Sequence, residues 1–402
     1  MMSLSTIEEP VAPAAAAAAP WRAAHPVWQL GFRPFYLLAA VFAAVAVPVW
    51  LAQYLGWIGW PRVGLAWHMH EMVFGMAVAV IVGFLLTAVR AWTGLWTPRR
   101  GQLAALAALW IGGRVALLAA PPLLAALVDV AFLPLSAWLL FRVLRRADNK
   151  RNQFLPVLLL LLAFANALYH AAVLEWIALS PATPVEAAIL IIVLIESVIG
   201  ARAIPMFTRN GVAGSTPLVD PRRDQAALGL TVAAAIGWML PLPPAVFAVL
   251  AFAAGCASLL RLAGWQPLRT LGVPLVWILH VSYAWIPVGF FLLALAALHI
   301  VTPSAAFHAL AVGSTAGLII GMMTRTTLGH TGRPLVAGAA ETAMYWLIQL
   351  GALARLLAAV GPAEVRQVSL LGAALAWSLA FSLFVIVYGR FLWQARIDGK
   401  EG

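Results

Sequence analysis

The residues able to do chemistry are few, and they cluster. The stretch Trp67–Gly94 opens with His68, His70 and Glu71 and then runs through apolar sequence with no charge until Arg90. Histidine and glutamate are costly in hydrocarbon, so such a group at the mouth of an apolar helix marks a functional site by default. A second stretch, Phe307–Pro334, repeats the layout. His70 is followed by Gly75, Gly83 and Thr93-Gly94, and His308 at the same offsets by Gly313, Gly321 and Thr331-Gly332. With 31 glycines in the chain some of these matches are expected by chance. Even so, both stretches place a histidine at the head of a helix and a stripe of small residues below it.

Imidazole is the commonest protein ligand for transition metals, and iron and copper both accept it. Haem b iron takes one or two axial histidines. His68, His70, His170, His280 and His308 therefore read as a supply of metal ligands. It suits a histidine-ligated haem, a histidine-ligated copper, or both. His68 and His70 are two residues apart, about 200° around a helix, so they face opposite ways. His68 falls close to the face of Gly75, Ala79 and Gly83. Such a small-residue stripe admits a close flat body, usually a neighbouring helix; a haem below an axial His68 is the alternative. Gly313, Gly317 and Gly321 form the equivalent stripe in the second stretch. Against each reading stands a plainer one, since a lone membrane histidine is often an interhelical hydrogen-bond donor.

These residues need membrane helices to position them. The chain has 402 residues, 64% hydrophobic and only 10% charged, whereas a soluble domain carries about 25% charge. The expectation is an all-α polytopic membrane protein. Twelve apolar runs, from 32–53 to 366–394, are each long enough for roughly 30 Å of hydrocarbon. Residues 1–30 read as a disordered cytoplasmic tail, 31–395 as one transmembrane domain and 396–402 as a second cytoplasmic tail. Glu8 and Glu9 stand where a signal peptide would be basic.

Arg99 and Arg100, the 145–151 cluster, Arg209, Arg222, Arg223, Arg269 and Arg333 fall in alternate loops, while the others hold only Arg62 and Arg366. This asymmetry puts both termini in the cytoplasm, and it accounts for the net charge of +11 without a nucleic-acid partner. The one cysteine, Cys256, excludes an intrachain disulfide framework and a thiolate cluster. In this orientation His68, His70, His170 and His308 share an outer layer. His280 lies below it near mid-membrane, and His330 follows the tenth run on the cytoplasmic side. Asn166 precedes His170 by one helical turn and shares its face. Glu196 with Arg202 reads as a buried ion pair, or Arg202 as the partner of a haem propionate. Arg114, Asp129 and Arg355 also lie inside apolar runs.

Five blocks carry a resemblance: LGFRPFYLLAA (Leu30–Ala40), WHMHEMVFG (Trp67–Gly75), GFLLTAVRAWTG (Gly83–Gly94), ARAIPMFTRNG (Ala201–Gly211) and the 308–335 segment. Together they resemble the NnrS family. The resemblance implies a bacterial inner-membrane protein of twelve spans that binds haem and copper. It also implies a role in denitrification and in protection against nitric oxide and nitrosative stress. The family's histidines in these blocks fall on His68, His70, His308 and His330, while His170 and His280 lie in weaker matches. The haem-copper oxidases are a poorer fit, because their His-x-x-x-Tyr pattern is missing: His68 is followed four on by Met72 and His280 by Ala284.

Three functions follow from this reading. The first is a haem and copper protein that binds and turns over nitric oxide, with Glu71, Glu186 or Glu196 carrying protons and a quinol or cytochrome as electron donor. The second is a sensor or protective protein whose metals bind nitric oxide without turnover. The third is a transporter in which the histidines, Glu71, Glu186 and Glu196 form a proton relay. The opposed faces of His68 and His70 give the first prediction. Replacing each by alanine should alter metal content differently, as measured by elemental analysis of the purified variants; identical losses would overturn the two-face geometry.

Overall fold

The structure is a computed structural model, and it describes residues 25–402. It is all-helical, with no strand among the described residues. Lipid offers no hydrogen-bond partner to the backbone, so spanning segments satisfy their own amides as helices. The long helices are α1 (Phe32–Tyr54), α2 (Leu65–Thr93), α3 (Gly101–Ala119), α4 (Pro122–Arg146), α5 (Lys150–Val173) and α6 (Ala182–Gly211). They continue with α7 (Pro221–Met239), α8 (Pro244–Gly264), α9 (Pro274–Ala297), α10 (Pro303–His330), α11 (Ala339–Val360) and α12 (Ala363–Trp393). Eleven of the twelve are long and apolar enough to cross a membrane; α7, with Arg222, Arg223 and Asp224 in its first turns, is the more polar one.

Helix starts follow local chemistry. Proline opens α4, α7, α8, α9 and α10, where its missing N–H would be unsatisfied in any case. Asp220 caps α7 by accepting from the Arg222 amide at 2.9 Å. Gly94 ends α2 in the left-handed region (φ 69°), which costs glycine nothing.

The expected tail at residues 1–30 lies mostly outside the described residues. Its last part is ordered: His25 Nδ1 accepts from the Val27 amide at 3.2 Å and caps a short 3₁₀ turn, Pro26–Trp28. At the other end, Arg396 Nη1 donates to the His330 carbonyl at 2.9 Å.

Helices α2, α9 and α10 are the most buried, and α3, α11 and α12 the least. The histidine-bearing α2 and α10 are thus central, and each shows the same irregularity. In α2 the stretch Glu71–Ala77, directly after His70, is π-helical. In α10 the stretch Ala309–Ala316, directly after His308, is π-helical too. π-Helical turns are rare and gather at functional sites. The shared glycine offsets therefore reflect a shared helix form. They also correct the expectation that His68 stands above Gly75, because the wider turn between them rotates one face against the other.

Both glycine stripes are filled by helices. A Cβ at Gly83 would meet Phe35 Cβ at 2.8 Å and the Gly31 carbonyl at 3.2 Å, both from the start of α1. A Cβ at Gly75 would meet Arg114 Nη1 and Phe42 at 3.1 Å. In α10, Gly313 abuts Trp285, Gly317 abuts Ser282, and Gly321 approaches Leu279 at 2.9 Å, all of them on α9. Of the two bodies that a small-residue stripe admits, the structure has the helix. Gly83→Val should therefore destabilise by ~1–3 kcal/mol through overpacking, seen as a lower thermal midpoint in detergent. Gly372→Ala, with nothing within 4 Å of its Cβ, should leave the midpoint unchanged or raise it.

Candidate metal centre

Seven of the eight histidines take part in contacts that divide the predicted set into four places. The largest is a buried polar network on the side opposite the basic loops, built on α2, α3, α4 and α5. Its hub is Asp129, near the kink between the two halves of α4, Pro122–Val130 and Phe132–Arg146. Asp129 Oδ1 accepts from Arg114 Nη2 on α3. Asp129 Oδ2 accepts from Asn166 Nδ2 at 2.8 Å and lies 3.0 Å from His170 Nε2 and 3.1 Å from His70 Nε2. His70 Nδ1 sits 2.8 Å from Glu71 Oε1, and Glu71 Oε2 is 3.0 Å from Arg114 Nε. Asn166 Oδ1 is 2.9 Å from His70 Nε2.

Burial here is nearly complete, at 0% exposure for Glu71, 1% for His70, 4% for Asp129 and 6% for Arg114. Charges this deep persist only when paired and hydrogen-bonded. Two carboxylates face one guanidinium, so the network takes one further positive charge. Both nitrogens of His70 point at oxygens, so His70 donates from both and supplies that charge. A metal ion could supply it instead. One ring nitrogen each from His70 and His170 and one carboxylate oxygen of Asp129 lie within 4.8 Å of one another. Two imidazoles and a carboxylate are a donor set that copper, iron and zinc all accept.

His68 faces the other way, as its spacing predicts. Its ring stacks on Trp50 of α1 (centroids 3.8 Å apart, planes at 16°), and its buried Nδ1 has no hydrogen-bond partner. It lies within electrostatic reach of His308, and Arg355 of α11 lies beside both. His308 Nδ1 donates to the Ser304 carbonyl at 2.7 Å, and Arg355 Nη2 donates to Ser304 Oγ at 3.2 Å.

The remaining expected residues stand apart. Because α9 begins at Pro274, His280 lies in its second turn, nearer the basic-loop side than mid-membrane. Its Nε2 is 2.8 Å from Thr208 Oγ1, and its buried Nδ1 is unpartnered. His330 is the last residue of α10 and no part of a loop; it packs against Phe32 at 5.7 Å. Glu196 and Arg202 do not pair. Glu196 accepts from Ser314 Oγ at 2.7 Å, whereas Arg202 donates to Asn152 Oδ1 at 2.9 Å. Glu186 accepts from Trp238 Nε1 at 2.8 Å. Glu196 also borders an apolar cavity of about 100 Å³ enclosed by α1, α2, α6, α9 and α10.

A family model described as NnrS protein matches residues 26–396, almost the whole chain. The chain belongs to the NnrS family. No curated protein matches it. The match takes in both π-helical segments and all the residues of the buried network. Two members of the NnrS network, Asp129 and Arg114, have no role in the sequence reading, although both are visible there as charges inside apolar runs. The available signal was cost: a carboxylate and an arginine each in hydrocarbon imply a partner, and here they are each other's. A double-mutant cycle tests the hub. Asp129→Asn and Arg114→Met should each destabilise by ~3–5 kcal/mol, the cost of stranding a buried charge. The double variant should lose less than the sum by at least about 1 kcal/mol in thermal or denaturant unfolding; strict additivity would show that the two act independently.

Proposed function

We propose that the chain is a bacterial inner-membrane metalloprotein that binds nitric oxide at a copper ion held by His70, His170 and Asp129. The observation that carries this is the convergence of two imidazoles and one carboxylate from three helices, inside a network that already fixes each of them. Metal-bound imidazole is normally oriented by a hydrogen bond at its other nitrogen. Glu71 makes that contact to His70 Nδ1, and Arg114 holds both Glu71 and Asp129 in place. When bound, copper would supply a Lewis-acid and one-electron centre. Glu71, the residue next to His70, is the acidic group nearest that centre.

Nitric oxide is small and lipophilic, so a centre within the bilayer suits it. The apolar cavity beside Glu196 begins about ten residues, or ~15 Å, below His70 along α2. At about 100 Å³ it exceeds the ~30 Å³ that one water occupies and has room for a diatomic. Haem b finds no cradle on the glycine stripe below His68, because α1 fills it. His68 and His280 each have a buried, unpartnered Nδ1 that could take a metal without breaking an existing hydrogen bond at that atom.

Turnover is the finer half of this reading, with electrons from a quinol or cytochrome. Binding without turnover is the sensing or protective alternative. A proton-coupled transporter gains one specific observation: α2 and α10 carry matching π-helical interruptions, as the paired broken helices of transporters do. One set of measurements tests the site and separates the enzyme from the binder. The purified chain should carry copper close to one per chain and change its spectrum on anaerobic nitric oxide. His170→Ala should lose most of the copper, while His308→Ala should keep it. Nitric oxide consumption with a quinol donor marks an enzyme, and its lack marks a binder. Copper content unchanged in His170→Ala would overturn the site.

A further inference from the structure

A second cavity lies at the other end of the bundle and plays no part in the metal centre. It has a volume of about 430 Å³ and sits between α5, α6, α7 and α8 on the basic-loop side. Arg151, Arg202, Arg209 and Arg261 line it, against the single carboxylate of Asp224. Its deepest cation is Arg261, only 2% exposed, which donates from Nη2 to Ser197 Oγ at 2.5 Å and to the Tyr283 hydroxyl. Its closest carboxylate oxygen, on Asp224, is 3.9 Å away, and its buried Nε has no hydrogen-bond partner. Arg202 donates to the neutral Asn152 and lies over the Phe154 ring, and neither Arg202 nor Arg209 is within 4.0 Å of a carboxylate among the described residues.

A buried guanidinium whose nearest carboxylate stands 3.9 Å off is poorly compensated, and three neighbouring arginines raise the cost by mutual repulsion. An anion in the cavity removes both penalties. Arginine forks match phosphate oxygens in pairs, so phosphate is the chemistry this lining recognises best. The remaining wall is mostly apolar, with Val198, Ala201, Met206, Val219 and Leu228 beside Ser197 and Gln225. The cavity lies at the basic-loop end of the bundle, with charged and apolar walls side by side. Basic pockets between membrane helices on that side are known to hold lipid headgroups.

We propose that this cavity binds a phosphate group, held by Arg202, Arg209 and Arg261. Two sources share that chemistry: the headgroup of an anionic phospholipid, and free inorganic phosphate. The test uses the full chain, delipidated in neutral detergent, and follows thermal unfolding with three additions: phosphatidylglycerol, inorganic phosphate, and a neutral glycolipid without phosphate. Phosphatidylglycerol alone should raise the midpoint by several degrees and remain bound in native mass spectrometry if the lipid is the source. Inorganic phosphate should do so equally if free phosphate is.

The paired variant Arg202→Gln/Arg209→Gln, at partly exposed positions that pair with no carboxylate, should bind the effective phosphate at least tenfold more weakly. The control Arg145→Gln/Arg146→Gln, outside the cavity, should bind it as the unaltered chain does. Equal stabilisation by the neutral glycolipid, no stabilisation by either phosphate, or undiminished binding by the cavity variant would each overturn the proposal.

Discussion

The structure depends on keeping charge alive inside hydrocarbon. Asp129 is the point where that constraint is met. It receives Arg114 on one oxygen and His70, His170 and Asn166 on the other, so a single carboxylate joins α2, α3, α4 and α5. Apolar contact alone drives little helix association in lipid, because lipid tails are as apolar as leucine side chains. Buried polar bonds and close small-residue packing do more. The fold divides these two devices. The network fastens α2 to the helices that follow it, and the glycine stripes fasten α2 to α1 and α10 to α9.

The two π-helical segments connect this packing to chemistry. Each begins directly after a histidine, and each lies in one of the central helices. A wider turn costs hydrogen-bond quality, so it persists where it sets side chains in directions that an α-helix cannot. In α2 it lets His70 and Glu71 share one network while Gly75 turns toward Arg114 and Phe42. The same form in α10 leads to a different result. His308 bonds back to its own helix at Ser304 and shares its surroundings with His68 and Arg355. The repeat is therefore one of backbone, and the two histidines that open it have different partners.

How much was legible in the sequence follows from this. Spans and the alternation of loop charge are summed properties of many residues, and they read directly, although α7 falls short of the expected twelfth span. The opposite faces of His68 and His70 follow from helical angle over two residues, and they held. What failed needed either angle over a longer stretch or contact between distant spans. The placing of His68 over Gly75 assumed uniform α-geometry, which seven π-helical residues break. The Glu196–Arg202 pair assumed that nearness along a helix means contact, but the two side chains find Ser314 and Asn152 on other elements. Asp129 was visible as a costly residue, yet nothing local names its partners, which come from positions 37 and 41 residues ahead and from α2 and α3 behind it.

The network's completeness bears on the proposed chemistry. Every atom that the His70, Asp129 and His170 group could offer a metal already has a hydrogen-bond partner, so a metal would enter by exchange. It would take the place of the protons that His70 Nε2 and His170 Nε2 direct at oxygen, the first released and the second moved to His170 Nδ1, and the balance of two carboxylates, one guanidinium and one further cation would be kept in sign. The contacts that would hold the ligands in the loaded state, Glu71 on His70 Nδ1 and Arg114 on Asp129 Oδ1, use atoms that the metal does not need. The same side chains thus stabilise the protonated form and orient the ligands for the loaded one. A site that is rigid in both forms loses little conformational freedom on loading, and that preorganisation favours tight binding. It would also tie metal uptake to proton release.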